Sequence, residues 1–418
     1  MSNRAYCFVS LIILSFLNSC SIELVESFTG TLLGEQTVVL NDASNTRVWS
    51  NLDVIEKLDS TTCNRFQCFD SSRCQLDETK QLSYYVYPPL RIIDSSGNVI
   101  YSTSSMISFE YWKLLETLLK SDRLTVNPED ACIFVPSIDL TWVHANQSSR
   151  LFNILESLPY WRYVDGYPGT NHLIISLDPT FDSNKILSAI ERAILISPTH
   201  DTWTLRSEFD LSIPVLVENR ANDDERHQYN WSIITTQFDS FSEDQRLSIS
   251  NLKKLLNERL LVLGSNCSSL HRGMINFLGE IRCSKEDDSG NVFKFPEVFL
   301  NARYCLLLNV GTPSIADAVH YLLAEAIQHG CVPIVTSDYI LPFNSLIDWS
   351  SISILLTNDE ILESLEPQMS SINDSEHARM SNEARQVWSK HFKNSSQIAS
   401  DIARHYDSLV YPRAFLGR

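Results

Sequence analysis

YCLLLNVGTPSIADAVHYLLAEAIQHGCVPIVTSDYILPFNSLIDW, residues 304–349, reads as one strand, helix and strand with both ends of the helix written into the chain. Residues 304–308 are a short apolar run closed by Asn309 and Gly311, as in a strand buried on both faces of a parallel sheet. Thr312 supplies an N-cap, Pro313 a first helical residue, and Asp317 negative charge near the positive end of the helix. Gly330 supplies the left-handed residue past its last turn. Residues 331–335 form a second buried strand, and elements joined this tightly cross over right-handed, so both strands end on one sheet edge. The loops 309–312 and 336–342 lie at that edge. Open α/β sheets hold ligands there, and the free N–H groups of a helix start receive a diphosphate. Pattern alone equally fits an ordinary βαβ unit with no ligand, because the helix opens without a full glycine fingerprint.

Working outward, strands are expected at 84–87, 131–136, 173–177 and 213–216, and helices at 109–119 and 151–158, with another inside 186–196. After an acidic, polar stretch at 218–228 the alternation restarts with a strand at 231–235, a helix through Leu252, Leu255 and Leu256, and a strand at 260–263. Alternating β and α means a parallel sheet. A chain of 418 residues is too long for one core. The expected divisions are a leader at 1–24, a cysteine-bearing stem at 25–80, an α/β domain at 81–240 and a second at 241–418. The last helical segment, 375–409, is placed to cross back and brace the first domain.

Composition narrows the function. Apolar residues at 44% make a globular chain, and a formal charge of −18 excludes general nucleic-acid binding, which needs a basic face. Arg4 followed by the apolar run 7–17 is a targeting segment, shorter than the roughly 20 residues of a comfortable membrane span. Delivery to a lumen agrees with sequons at Asn146, Asn230, Asn266, Asn373 and Asn394. It also agrees with an even set of cysteines outside the leader. Disulfide candidates are Cys68, Cys74, Cys267 and Cys283, with Cys63 in the same cluster as the first two. Cys132, Cys305 and Cys331 lie in apolar strand runs and read as small core residues. No histidine stands near the thiol cluster at 63–74, which disfavours zinc.

Several ordered blocks carry a family resemblance. Gly311, Pro313 and Ser314 precede a Glu325–Ala326–Ile327 helix, a Gly330–Cys331 and Pro333 strand, and the Leu341–Pro342–Phe343 loop that ends in Asp348–Trp349. Cys68, Phe69, Asp70 and Cys74, the strand at 85–88, ACIFVPSID at 131–139, GTNHL at 169–173 and FDLSIPV at 209–215 complete the series. Together, from about residue 60 to 415, they resemble the exostosin family, glycosyltransferase family 47. The resemblance implies the GT-B type, two Rossmann-like domains facing a cleft, and inverting transfer from a UDP-sugar, UDP-glucuronate, to a heparan-type polysaccharide. It further implies a second exostosin subunit as partner and a type II signal anchor in the Golgi or endoplasmic reticulum, against the cleaved signal peptide that the short leader suggests. Heparan enzymes of this family carry a second, family 64 transferase domain with an aspartate-rich metal motif. No such cluster occurs up to Arg418, which fits either a truncated gene model or a single-domain member.

For the chemistry, the donor contacts expected are Asn309, Gly311, Thr312, Ser314 and Glu325, the last accepting from ribose hydroxyls. Asp139 and His172 are candidates for acceptor contact or base, each weighed against a structural role, and no metal is implied. Inverting transfer also needs positive charge or N–H donors for the departing diphosphate. From residue 304 to 378 there is no Lys or Arg, while ten Asp and Glu occur. Where active family members carry an arginine three residues before the helix glutamate, this chain has Leu322. Arg272, Arg282 and Arg303 are the arginines that would have to reach in. Three functions therefore compete: an active transferase, a transferase-fold subunit weak in turnover that supports a catalytic partner, and a lumenal carbohydrate-binding protein. Trp142, Trp161 and Trp203 suit sugar stacking or core packing alike.

Overall fold

The computed structural model describes residues 36–39, 63–64, 67–74, 81–142, 148–162, 167–178, 186–198, 200, 205–217, 229–235, 260–264, 281–283, 299, 302–307, 313–336, 340–356, 368 and 371–410. In its first half lie β1 (Gln36–Val39), β2 (Tyr84–Val86), β3 (Leu90–Ile93) and β4 (Val99–Ser102). They are followed by α1 (Phe109–Leu119), β5 (Ile133–Val135), α2 (Ser148–Glu156), β6 (Leu173–Ile175), β7 (Ile194–Ser197) and β8 (Leu211–Ser212). The α1 helix starts where Ser108 accepts the Tyr111 N–H, and buries Tyr111, Trp112, Leu114, Leu115 and Leu118, the three-and-four spacing of one face. β2 pairs with β5, the Phe134 to His172 bridge joins β5 to β6, and β7 and β8 follow, all parallel. β1, β3 and β4 make a separate small sheet that the sequence reading lacks. The helix expected inside 186–196 is one turn at Leu187–Ile190 followed by β7. Buried Ile194, Leu195 and Ile196 pair with β6 on one side while β8 takes the other, and that ladder overrides a short apolar run's weak helical pattern.

The second half holds β9 (Tyr229–Thr235), β10 (Leu260–Gly264), β11 (Ile281–Cys283), β12 (Ala302–Leu307), α3 (Pro313–His329), β13 (Val332–Thr336) and β14 (Ile354–Leu356). All six strands are parallel in the order β11-β10-β9-β12-β13-β14. Numbered within this sheet that is 3-2-1-4-5-6, the doubly wound order whose direction of winding reverses between β9 and β12. The unit quoted at the outset takes its expected form: α3 opens on Pro313, and Gly330 sits at φ 75° after its last turn. β9 begins before residue 240 and already belongs to the second sheet, so the change of sheet precedes it.

Two helices close the chain, α4 (Asp374–Val387) and α5 (Ser395–Val410), joined through a π-helical turn at Trp388–Phe392. α5 returns to the first half and lies on α1. There Asp407 accepts the Leu82 N–H and pairs with Arg123 at 2.6 Å, Tyr406 donates to the Phe209 carbonyl, and Thr117 donates to Ser396. The brace expected of this segment is therefore present. No described helix is long and apolar enough to cross a membrane, and the leader at 1–24 lies outside the described residues.

The disulfides correct the cysteine reading. Cys63 joins Cys68, Cys74 joins Cys132, and Cys305 joins Cys331. Cys68 and Cys74 thus bond to other partners than each other, and the three cysteines read as core residues are bridged. Burial does not separate a core thiol from a disulfide, because a bridge between adjacent parallel strands is itself interior. With a separation of 26 residues the last bridge contributes about 3 kcal/mol by loop-closure entropy. Cys267 lies outside the described residues, and Cys283 ends β11.

Candidate functional site

The ligand-bearing edge of each sheet is the carboxyl end of its strands, and the two halves meet along those edges. Phe343, in the loop after β13, donates its N–H to the Ser212 carbonyl at the end of β8. The Ser212 hydroxyl reaches the Ile340 carbonyl. The α3 helix follows β12, the strand at the reversal of winding, so it is the helix through which this sheet addresses that junction.

Its length decides what it presents. Seventeen residues span about 26 Å, whereas the five residues of β13 span about 17 Å. Running back from His329 alongside β13, the helix reaches the carboxyl edge of the sheet near Val319 and His320, and its first turns project beyond. The expected phosphate cradle, Asn309, Gly311 and Thr312, lies outside the described residues, and Ser314 stands in that projecting first turn. Glu325 sits about 18 Å along the axis from Pro313, too far for the helix start and this carboxylate to hold the phosphate and ribose of one nucleotide. It is wholly enclosed, and neither carboxylate oxygen has a hydrogen bond among the described residues. His329 Nε2 stands 3.6 Å away, its ring parallel to that of Phe299. Leu322 is 2% exposed within the hydrophobic core, so the position expected to hold a family arginine looks into apolar side chains.

The arginines divide. Arg303, near the amino end of β12, pairs with Asp374 at 2.9 Å and lies over the Tyr304 ring. It is at the edge opposite the junction, which corrects its assignment to the phosphates. Arg282 lies in the outer strand β11, and Arg272 is outside the described residues.

Asp139 does lie past the carboxyl end of β5, but its carboxylate is used up. Oδ2 accepts the Ser108 N–H at 2.7 Å, and Oδ1 accepts both the N–H and the hydroxyl of Thr141. It anchors the start of α1, a structural role. His172 immediately precedes β6 and is in register with Phe134 at the middle of β5. Its Nδ1 donates to the Thr170 carbonyl, so Nε2 accepts from the Tyr87 hydroxyl at 2.9 Å, and the ring stacks on Phe134 at 4.9 Å. Trp161 meets that ring edge-on as core, while Trp203 lies outside the described residues. Burial pushes the His172 pKa down to about 4. A histidine held neutral by the fold stabilises it fully above its unfolded value near 6.5 and loses that contribution as pH falls toward 4. Stability is expected to fall by about 3 kcal/mol over that window from this group, and His172→Phe, measured by urea unfolding at pH 7 and pH 4.5, should flatten part of the slope.

Of the sequons, Asn373 and Asn394 are exposed at helix starts, where each side chain accepts a backbone N–H. Asn230 falls in β9, an interior strand of the parallel sheet. Asn146 and Asn266 lie outside the described residues. No group of metal-ligating side chains occurs among the described residues.

A buried histidine that sequence reasoning passes over is His200. It follows β7 by three positions at the carboxyl edge of the first sheet, is 3% exposed, and acts electrostatically on His320, itself 2% exposed. The signal is the polar turn after AILIS, but a reading that expects only a helix inside 186–196 leaves the strand ended by this turn unseen.

Known proteins resemble this chain in sequence. A profile of the Exostosin GT47 domain matches residues 78–370. Mouse exostosin-2 is 29% identical over 361 residues, which cover 84% of this chain and 47% of the mouse protein, so the chain spans about half the length of such relatives. The Caenorhabditis elegans exostosin-1 homolog is 24% identical over 364 residues, covering 82% of this chain and 88% of that protein. Among solved structures, Anabaena HepE in complex with UDP superposes with a TM-score of 0.41 at 12% identity, over 77% of this chain and 86% of that one. TarM gives 0.39 at 10% identity, over 76% and 60%. The domain match runs from β2 into the segment after β14, through both sheets and the α3 crossover, and the chain belongs to the exostosin GT47 family.

Proposed function

We propose that this chain is a GT-B glycosyltransferase of glycosaminoglycan synthesis that takes a UDP-sugar, UDP-glucuronate, and transfers it with inversion to a heparan-type polysaccharide. The observation that carries this reading is the family match over 78–370, which includes the doubly wound sheet with α3 at its reversal. Glu325 serves as the ribose contact only where the diphosphate lies beside its own turn of α3 rather than at the helix start, a reading supported by two buried acceptor oxygens without hydrogen bonds among the described residues. The three disulfides among the described residues support a lumenal setting in the Golgi or endoplasmic reticulum. Anchoring through the leader and assembly with a second exostosin subunit belong to the same proposal.

A second reading is favoured by a specific observation. Leu322 is core, and residues 304–378 hold no Lys or Arg. A helix start contributes about 0.3 to 2 kcal/mol per charge contact, whereas one preorganised donor to a developing oxyanion is worth about 2.7 to 4 kcal/mol. A subunit that binds donor while a partner turns it over follows from that difference.

Calorimetric titration with UDP and UDP-glucuronate, then a transfer assay on a heparan oligosaccharide, separates the two. Transfer by the chain alone supports the first reading, binding without transfer the second, and absence of UDP binding at every pH overturns both. Glu325→Gln should weaken UDP about tenfold or more, the scale of a lost hydrogen bond to a charged group. Its melting temperature should stay level or rise, because the enclosed carboxylate is itself costly.

A further inference from the structure

Two of the sequons lie on surface that the fold keeps in water, and neither enters the donor-site chemistry. Asn373 stands immediately before α4 and Asn394 immediately before α5, both exposed. In each, the side-chain oxygen accepts the backbone N–H of the third helical residue, Glu376 to Asn373 at 2.9 Å and Gln397 to Asn394 at 3.0 Å. A donated hydrogen must be met by the amide's oxygen, so Oδ1 is fixed against the helix and Nδ2 is left on the other side. Neither Nδ2 has a hydrogen bond among the described residues. We propose that Asn373 and Asn394 are N-glycosylated, each through Nδ2 while Oδ1 goes on capping its helix. The proposal rests on the lumenal setting above and adds two modification sites to it.

A glycan is bulky and hydrated, so one added to the growing chain is compatible with the fold only where that side chain stays in solvent. Both positions meet this requirement while their neighbours are held. Ser395, next to Asn394, is 1% exposed and donates to Glu110 Oε2 at 3.0 Å. Asp374, next to Asn373, holds Arg303 at 2.9 Å at the edge opposite the junction, so a glycan there leaves the junction open. The hydroxyl residues of the two sequons are Ser375 and Ser396, and the Ser375 hydroxyl reaches Asn373 Oδ1 at 2.6 Å. The co-reactant is a lipid diphosphate-linked oligosaccharide. Nδ2 bonds to C1 of its first sugar, the C1–O bond breaks with its electron pair leaving on the diphosphate, and Nδ2 gives up one proton. Oδ1 forms no new bond in this step, so both caps survive it.

The test expresses the full chain in a secretory eukaryotic cell and checks its protection from protease in sealed microsomes. Enzymatic removal of N-glycans in heavy-oxygen water then marks each occupied asparagine as a labelled aspartate in a peptide map. Asn373 and Asn394 should both be labelled. Asn373→Asp and Asn394→Asp, which keep the capping oxygen, should each remove one glycan and leave the melting temperature of the deglycosylated protein unchanged. Ser375→Ala and Ser396→Ala should remove the same glycans with the asparagines in place. A protected, disulfide-bonded chain with either asparagine unlabelled would overturn the assignment of that site while the lumenal reading stands. A chain open to protease and carrying free thiols would overturn the lumenal reading and both sites with it.

Discussion

Asp210→Ala should lower stability by about 3 to 5 kcal/mol, read as a shift of the urea midpoint at unchanged slope. Asp210 and Arg206 form a bidentate pair with side chains at 0% and 2% exposure, Nη2 to Oδ1 at 2.7 Å and Nε to Oδ2 at 2.8 Å. Removing the carboxylate strands a guanidinium that has nowhere wet to go. It also leaves the Leu195 N–H of β7 without its acceptor, so the damage reaches the strand next to the junction. Arg206 has a second task, donating to the carbonyls of Glu191 and Ala193. Arg206→Met should therefore be at least as costly, and the double variant should cost less than the sum of the two, because the second change no longer strands a buried charge.

Gly169→Ala is the second large effect, about 2 to 5 kcal/mol, from left-handed backbone strain and overpacking together. Gly169 holds φ at 79°, and an added Cβ would stand 2.7 Å from the Ala193 nitrogen and 2.8 Å from the Ile190 oxygen. Both are backbone atoms of the turn entering β7, so no side-chain rotation relieves the clash. Thermal unfolding measures it. Gly330→Ala is the control: φ is 75° there as well, but its Cβ meets the flexible Arg385 side chain, and the loss should be smaller.

The same contrast explains what the sequence disclosed. The α3 unit is legible to within two residues because Pro313, Gly330 and two apolar strands agree locally, and α1 is legible from its leucine spacing. The β7 strand, after the helical turn expected in the same segment, is not legible because the four residues ILIS carry no period of their own, and pairing across the chain chooses the strand. Disulfide partners failed for a related reason: Cys74 and Cys132 lie 58 residues apart, and only the folded sheet brings them together. Of the site, Glu325 was visible as a helix residue, but its enclosure was not. His200 became visible only once its turn was known to end a strand.

The return of α5 to the first half fixes an order of events. Asp407 caps Leu82 across 325 residues and binds Arg123 across 284. The ribosome must therefore release nearly the whole described chain before the amino-terminal half acquires its last interior contacts. Until then the leucine face of α1 lacks the helix that covers it, a ready client for chaperones. A stop codon that removes α5 should accordingly be felt as misfolding of the earliest-made half rather than as the loss of a tail.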